Sequence, residues 1–339
     1  MRLISSLQRA VAIDHSCQVG YARREALAEA RAAGLPPEQA ERVALVCTEM
    51  ASNILRHAGG AGQVVIRRLS EAPGVELLAL DRGPGLDAGR LMADSQSTVA
   101  GSLGTGLGAI RRLSDVFDIY VGRGVGGAAL LSRVFAAPPK RDHCWTFGVV
   151  SLPLADHPVC GDGWGLAGDR GEAVLMVVDG LGHGLPAADV ARQAEHLFHT
   201  AVIATPLGLI ETIGAGLAGS RGAVGLVLRV VPARGIVCAA GIGNITGRIL
   251  DGGGNGKRLV SYPGILGRRT RHCQQLDMPW GADSLAVVHS DGLSQKWSEA
   301  DYPGLWVRHP ALIAGVLYRD HATGNDDTTV AVLRCEAPP

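Results

Sequence analysis

With 339 residues the chain is long enough for two domains of ordinary size, each able to bury its own core. Its 32 Lys plus Arg balance 32 Asp plus Glu, so no global field draws it to nucleic acid or an anionic membrane, and neither is expected as a partner. Cys17, Cys47, Cys144, Cys160, Cys238, Cys273 and Cys335 are scattered with no CxxC, which argues against a disulfide framework or zinc site; every long apolar stretch is broken before about 18 residues, so a soluble, cytoplasmic protein is expected.

Residues 136–142 read AAPPKRD, paired prolines followed by charges, a stiff and solvated connector. It predicts a domain over 1–136, a linker over 137–143 and a second domain over 144–339. Before it the pattern runs strand, two helices, strands near 63–70 and 75–80, a glycine-punctuated loop, a helix near 106–116 and closing strands within 117–134. That predicts helices on one face of a mixed sheet, an α/β sandwich. HSCQVGYAR sets Cys17, Gly20 and Arg23 at the spacing of cysteine-dependent phosphatases. Val19, Ala22, Ala26 and Ala30 place that stretch in a helical pattern, whereas the thiol chemistry needs a glycine-lined loop after a strand.

The second helix, PPEQAERVALVCTEMASNILRHAGG, opens on Pro36 and Pro37 and ends at Gly59. Val43, Val46, Cys47, Met50 and Ile54 form its core stripe, and Glu49, Asn53 and His57 share another. By spacing alone the second stripe fits a solvated helix face as well as a carboxylate and an amide beside a metal-bound phosphate; His57, at the helix end, fits a cap on the last carbonyls. VELLALDRGPGLD then ends an apolar strand in Asp81, followed by Gly83 and Gly85. GSLGTGLGAIRRLSD runs Gly101, Gly104, Gly106 and Gly108 into a helix whose first amides and dipole suit an anion.

In TEMASNILRHA, DRGPGL and GTGLGAIRRLSD, residues of roughly 10–134 resemble the GHKL ATPases, in particular the anti-sigma-factor serine kinases and RsbT-like switch kinases. The resemblance implies a Bergerat-type ATP-binding sandwich. Asn53 would bind Mg²⁺, and Glu49 would be the general base for a substrate hydroxyl. Asp81 would accept from the adenine amino group, Gly83 and Gly85 would make room for the base, and Gly104, Gly106 and Gly108, with Thr105 and Leu107, would line the triphosphate.

Beyond the linker, strand-like runs at 145–152, 172–178, 223–231, 235–239, 284–289 and 328–334 enclose helical stretches near 185–217 and 307–319, a β-rich layered domain with helices outside. GGGNGK at 252–257 lacks the Ser/Thr and helix of a phosphate loop and reads as a hairpin turn. CGDGWGLAGDRGEAVLMVVDG reads as two strands joined at Gly168–Gly171, so Asp162 and Asp179 meet at one sheet edge. The DGLGHG turn after that strand fits, by itself, a phosphate cradle, a metal site or a plain tight turn. SLAVVHSDG carries Asp291 behind a strand and NDDTTVAVLR carries Asp326 and Asp327 ahead of one; paired antiparallel, these meet as well. Such carboxylates stay ionised together only with cations, and a set without Cys or His selects Mg²⁺ or Mn²⁺. Two ions about 4 Å apart would activate a water and clamp a phosphoryl group.

GVVSLPLADHPVCGDGW, VVDGLGHG, AAGIGNITG, SDGL and NDDTTVAVLR, in that order over about 145–334, resemble the SpoIIE-like branch of the type 2C metal-dependent protein phosphatases, an α/β/β/α sandwich. The DGLGHG form is most similar to the RsbX-like phosphatases, which act on phosphorylated STAS-domain proteins. The resemblance implies that Asp179 bridges two Mn²⁺ or Mg²⁺, with the Gly180 carbonyl, Asp162, Asp291 and Asp326 completing the shell and Asp327 a neighbour. His183 would donate a proton to the leaving hydroxyl or orient the glycine loop, and Gly241 and Asn244 would shape a turn nearby.

Together the resemblances imply a bifunctional partner-switching regulator, a kinase joined to a phosphatase, acting with ATP on Ser or Thr of a STAS-domain, anti-sigma-antagonist-type protein and leaving room for a further switch partner. Two other readings stay open: a nucleotide sensor that gates the phosphatase, and a partner-switching protein whose docked state carries the signal.

Overall fold

The computed structural model describes residues 1–84, 105–122, 126–137, 139, 143–155, 157–201, 205–251, 256–268 and 273–336. It divides into two units: Met1–Ser5 with Arg141–Ala300 and His309–Pro339, and Ser6–Lys140 with Asp301–Arg308. The sequence predicts one crossing, at the proline connector; three more exist, after Ser5 and at either end of 301–308. At the N-terminus, β1 (Arg2–Ile4) pairs antiparallel with β8 (Asp162–Gly168), and Leu3 enters the core there, only 4% exposed. In 301–308, Tyr302, Leu305 and Trp306 are buried, and Arg308 pairs with Asp118 at 3.3 Å. Three apolar anchors without strand or helix periodicity leave no pattern for sequence reading to detect.

The unit built on Ser6–Lys140 has one sheet in the order β2 (Gln8–Ile13), β3 (Gly62–Arg68), β4 (Gly74–Asp81), β6 (Ala128–Phe135), β5 (Val116–Val121). Every pairing in it is antiparallel, which corrects the expected mixed sheet. The reason is connectivity: β3–β4 and β5–β6 are joined by short turns, and only antiparallel strands can be. Helices α1 (Ser16–Ala32) and α2 (Pro37–His57) cover one face. Ala22, Ala26 and Ala30 are the fully buried stripe of α1, small enough to bring it close to α2, and the CxxGxxR stretch lies inside this helix. Val43, Val46, Cys47, Met50 and Ile54 of α2 pack on Val64, Ile66, Leu77, Ala79 and Leu130. Helix α3 (Thr105–Leu113) adds Ile110 to the same core. On the sheet itself Glu76 is buried between its register partners Arg67 and Arg133, bonded at 2.9 and 2.7 Å.

The other unit stacks two sheets. One runs β1, β8, β9 (Ala173–Gly180), β10 (Ala223–Val231), β11 (Ile236–Ile242), β14 (Leu276–Pro279); its partner runs β13 (Gly256–Leu259), β12 (Thr246–Leu250), β15 (Leu285–His289), β16 (Thr328–Cys335), β7 (Trp145–Leu152). Trp164, Leu175, Val177, Leu226 and Leu228 of the first interdigitate with Phe147, Val149, Ala286, Val288 and Leu333 of the second. The outer face of the first sheet is covered by α4 (Leu185–Ala201) and α5 (Pro206–Gly216), through Phe198, Leu209, Ile210 and Ile213 on Val174, Met176 and Val178. Helix α6 (Pro310–His321) lies on β7 and β16, where a Cβ on Gly148 would meet the Ala311 nitrogen at 1.9 Å. The result is the expected α/β/β/α sandwich.

The single helical stretch expected near 185–217 is two helices, because Thr205 caps α5 through the Gly208 N–H and Pro206 occupies its first position. The GGGNGK segment joins β12 and β13, which pair from Leu250↔Gly256, so it closes a hairpin; residues 252–255 lie outside the described set. Among the described residues no helix is long and apolar enough to cross a membrane.

Candidate functional site

The aspartates of the two-sheet unit gather where the strand ends put them. Asp162 opens β8, Asp179 is the penultimate residue of β9, and the two are direct register partners. β15 and β16 also pair antiparallel, with His289 opposite Val330, so Asp291 just after one and Asp326 just before the other fall together. Asp179, Asp291 and Asp326 line one cavity of about 530 Å³ with Leu154, His183, Asn244 and Ser261. Burial, followed by the charges of Asp162, Asp291, Asp326 and Asp327, pushes the Asp179 carboxyl up to about 9. Burial likewise raises Asp162 to about 7, although the Ser290 and Thr329 hydroxyls pull the other way.

That mutual repulsion is the observation that fits divalent cations: an oxygen-only cluster whose charges destabilise one another is relieved by positive charge, and hard ions prefer such ligands. Asp162, Asp179, Asp291, Asp326 and the Gly180 peptide are the groups available. Among the described residues no three acidic, imidazole or thiol groups converge as closely as ligands of one ion.

Neighbouring residues hold the cluster. The Ser290 hydroxyl donates to Asp162 Oδ2 at 2.7 Å and accepts from the Thr329 N–H at 2.9 Å. Asn244 Nδ2 donates to Asp291 Oδ2 at 2.6 Å. Asp327 points elsewhere: its two oxygens accept from the Leu154 and Gly161 amides, both at 2.7 Å, and its own N–H donates to Asp326 Oδ1 at 2.8 Å. Of the adjacent pair, Asp326 therefore faces the cavity and Asp327 pins three chain segments together. Gly241 lies within β11, where its missing side chain makes room for Ser261 Oγ; the expected turn is formed by its neighbours, with Asn244 reaching the cluster.

In the DGLGHG turn, Gly182 and Gly184 have φ of +93° and +70°, a left-handed backbone that bends the chain from β9 into α4. Gly180 is fixed by space, since a Cβ there would lie 2.3 Å from the Ala187 carbonyl. His183 is exposed on the cavity wall with its ring 4.8 Å from that of His157. Arg221 Nη1 donates to the Leu181 carbonyl at 2.9 Å and braces the same turn. Sequence reading missed Ser290, Asn244's bond to Asp291 and Arg221. The first stands beside Asp291 in SDG, a signal that was there to be used; the other two are long-range.

In the single-sheet unit, Glu49 and Asn53 meet the start of α3. A Cβ on Gly106 would lie 3.1 Å from Glu49 Oε2 and 3.3 Å from Asn53 Oδ1, so both side chains stand over a glycine-lined gap. Asp81, 9% exposed, accepts from the Gly83 and Ala128 amides at 2.9 and 3.1 Å, which fixes its carboxylate. Gly83 packs on the end of α2, where a Cβ would meet Ala58 Cα at 2.7 Å; contact with the helix accounts for glycine at that position. A Cβ on Gly108 would approach Arg112, and Leu107 packs against the helix core. Gly85 and Gly104 lie outside the described residues, as does the Thr105 side chain. His57 is exposed in the last turn of α2, and the capping N–H there is that of Ala58, to the Ile54 carbonyl. Glu49 and Asn53, beside the N-terminus of α3, are the groups available to a phosphate chain and its Mg²⁺.

Residues 14–131 match the family described as Histidine kinase-like ATPase domain. Over 88 residues, 25% of this chain, the sequence is 36% identical to the serine/threonine-protein kinase RsbT of Bacillus subtilis, and the match takes in 65% of that protein's length. A chain solved in work on the bacterial stressosome, described as a modular system adapted to control secondary messenger signaling, matches at 26% identity and a TM-score of 0.52, over 56% of this chain and 99% of that one. RsbX in complex with magnesium matches at 19% identity and a TM-score of 0.52, over 57% of this chain and 96% of that one, a likeness of fold. Residues 14–131 are thus similar to a histidine kinase-like ATPase domain, and the two-sheet unit has the type 2C protein phosphatase fold. More narrowly, the first is RsbT-like in sequence and the second RsbX-like in fold.

Proposed function

We propose that the phosphatase-type unit hydrolyses phosphoserine or phosphothreonine on a STAS-domain protein, and that the ATPase unit phosphorylates a Ser or Thr of such a partner. The observation that carries the first half is the Asp162↔Asp179 register pair with Asp291 and Asp326 on the same cavity. Two Mn²⁺ or Mg²⁺ held by these carboxylates would lower the pKa of a water nucleophile and neutralise charge on the phosphoryl group. The protein's own part is orientation and proton transfer. Ser290 aims Asp162, Asn244 aims Asp291, and the open glycine turn lets a side-chain phosphate enter. His183, on the exposed wall, gives a proton to the departing Ser or Thr oxygen.

The kinase half is supported by Glu49 and Asn53 standing together over Gly106, and by the RsbT relative. Glu49 would take the proton of the acceptor hydroxyl, Asn53 would hold the Mg²⁺ of the nucleotide, and the amides opening α3 would hold its phosphates. The RsbT-like and RsbX-like resemblances support a STAS-domain partner.

The test is a transfer and release assay with labelled ATP, Mg²⁺ or Mn²⁺, and candidate STAS-domain proteins. Glu49→Ala abolishes labelling, and Asp179→Ala lets the phosphoprotein accumulate. Dephosphorylation by Asp179→Ala at the wild-type rate would refute the metal assignment. ATP binding that alters hydrolysis without any labelled product would make the first unit a sensor.

A further inference from the structure

Cys144 and Cys335 are both free thiols, and their Sγ atoms lie 3.1 Å apart. Cys144 immediately precedes β7, Cys335 ends β16, and the strands pair with Cys335 opposite Trp145. The Glu336 N–H donates to the Cys144 carbonyl at 2.6 Å, so backbone pairing continues past both cysteines and fixes the positions from which their side chains project. Nothing in the sequence pairs two residues 191 apart; the register does.

We propose that Cys144 and Cys335 are a modification site, closing to a reversible intramolecular disulfide when the protein meets a hydroperoxide. From contact, the sulfurs approach by roughly 1 Å to reach the bonded distance of about 2.05 Å, a motion within reach of side-chain torsion. Cys144 acts first. Its sulfur attacks hydrogen peroxide, the O–O bond breaks, the sulfur is oxidised to a sulfenic acid and the peroxide is reduced, leaving as water. The Cys335 sulfur then attacks the Cys144 sulfur, forming the S–S bond while the S–O bond breaks and the hydroxyl leaves with the Cys335 proton as a second water. Two thiols and one hydrogen peroxide give one disulfide and two waters. The order follows from the surroundings: burial, and then the neighbouring Cys144 thiol, push the Cys335 thiol up to about 12, which keeps its proton on until the sulfenic acid stands beside it.

The staple lies far from the aspartates. The β7–β16 ladder runs from Cys335↔Trp145 to Thr328↔Leu152, next to Asp326 and Asp327, so the disulfide closes the end roughly 24 Å away along the strands. It ties the start of β7, where the chain leaves the linker, to the last strand of the unit.

The test treats the full chain with a slight excess of hydrogen peroxide, alkylates the remaining thiols and maps the peptides. The expected product is a peptide pair joined through Cys144 and Cys335, released by dithiothreitol, together with a Tm higher in the oxidised than the reduced protein. Cys144→Ser and Cys335→Ser each lose the joined pair and the Tm rise. The proposal is overturned if both cysteines are recovered alkylated, if Cys144 proceeds to sulfinic acid without a joined peptide, or if either cysteine is found joined to the exposed Cys17 or to a second chain. Peptide mapping of the wild-type protein decides the matter even where a variant folds poorly.

Discussion

Asp162 and Asp179 face each other across the β8–β9 ladder, so the turn between these strands sets the geometry of the cluster as much as the cluster's own residues do. Like charges directly opposite on a sheet destabilise it, and here both carboxyls are held above the ordinary carboxylate range, by burial first and by neighbouring aspartates after that. Asp179→Asn removes the cost of burying this carboxyl beside other aspartates while keeping the side chain's size. Without metal the variant melts higher than wild type. With Mn²⁺ it loses the metal-induced rise in Tm, and phosphoprotein hydrolysis falls by at least about 100-fold. Thermal scans with and without Mn²⁺, beside the hydrolysis assay, check both; a wild-type Mn²⁺ response in the variant would put the ions elsewhere.

Ser290 connects Asp162 to the second sheet through its bonds to Asp162 Oδ2 and the Thr329 N–H. Ser290→Ala leaves a buried amide and a buried carboxylate oxygen each short of a partner, which costs about 1–3 kcal/mol of stability. As a positioning residue its loss also weakens metal binding, roughly 10–100-fold by analogy with other groups that orient metal ligands. Denaturant unfolding and Mn²⁺ titration followed by Tm separate the two effects, because a purely structural serine would move only the first.

The four aspartates of the cluster were legible because each ends or begins an apolar strand, and strand pairing rules then bring the ends together without knowledge of the fold. The same logic found Glu49 and Asn53, one helical turn apart on α2. What escaped is whatever depends on long-range seating. The sequence places Asp327 as a neighbour of Asp326, but does not show that its oxygens are taken by the Leu154 and Gly161 amides, which only the folded register brings near. Gly83, expected to make room for the base, also touches Ala58 at the end of α2, a contact that no local pattern announces. Leu3 and the 301–308 segment join units that their places in the sequence do not suggest, because three or four apolar residues are too few to carry a period.

Gly106 occupies the second position of α3, where helical backbone suits alanine better than glycine by about 1 kcal/mol. A Cβ there, however, would stand 3.1 Å from Glu49 Oε2 and push that carboxylate away from the helix start. Gly106→Ala therefore keeps or raises Tm while weakening ATP binding by tenfold or more, a difference of about 1.4 kcal/mol. Isothermal titration with ATP and Mg²⁺ measures it. Unchanged affinity would mean that the phosphates lie away from this helix start.

Glu76 sits between Arg67 and Arg133 with almost no exposure. Burial alone would raise its pKa, but the two guanidinium groups bring it below the ordinary value. A carboxylate depressed in this way contributes stability that is present above its unfolded pKa and lost as pH falls through the folded one. Glu76→Gln leaves the buried Arg67 without its Glu76 counter-charge, while Arg133 keeps Glu71 at 3.4 Å, and destabilises the single-sheet unit by about 3–5 kcal/mol. Urea unfolding at neutral pH, followed in that unit, gives the value; a loss under about 1 kcal/mol would show that the arginines find other partners.

Glu195 shows the opposite sign. It projects from α4 over Gly163, accepts from the Trp164 N–H at 3.1 Å and from the Ser5 hydroxyl, and so fastens the segment after β1 to the sandwich. Burial raises its pKa to about 7, against the pull of those two bonds and of Arg192. Because the folded value lies above the unfolded value of about 4.3, the folded state favours the protonated form; its contribution is complete below about pH 4 and is lost as pH climbs to about 7. Glu195→Gln stays neutral throughout. The stability of the variant minus that of wild type should therefore grow between about pH 5 and pH 7, level off above that, and reach on the order of 3 kcal/mol at most. The aspartate cluster titrates in both proteins and cancels in the difference. Denaturant unfolding of both across this range, with metal chelated, provides the measurement, and a difference that does not change with pH would mean that Glu195 is already ionised at pH 5.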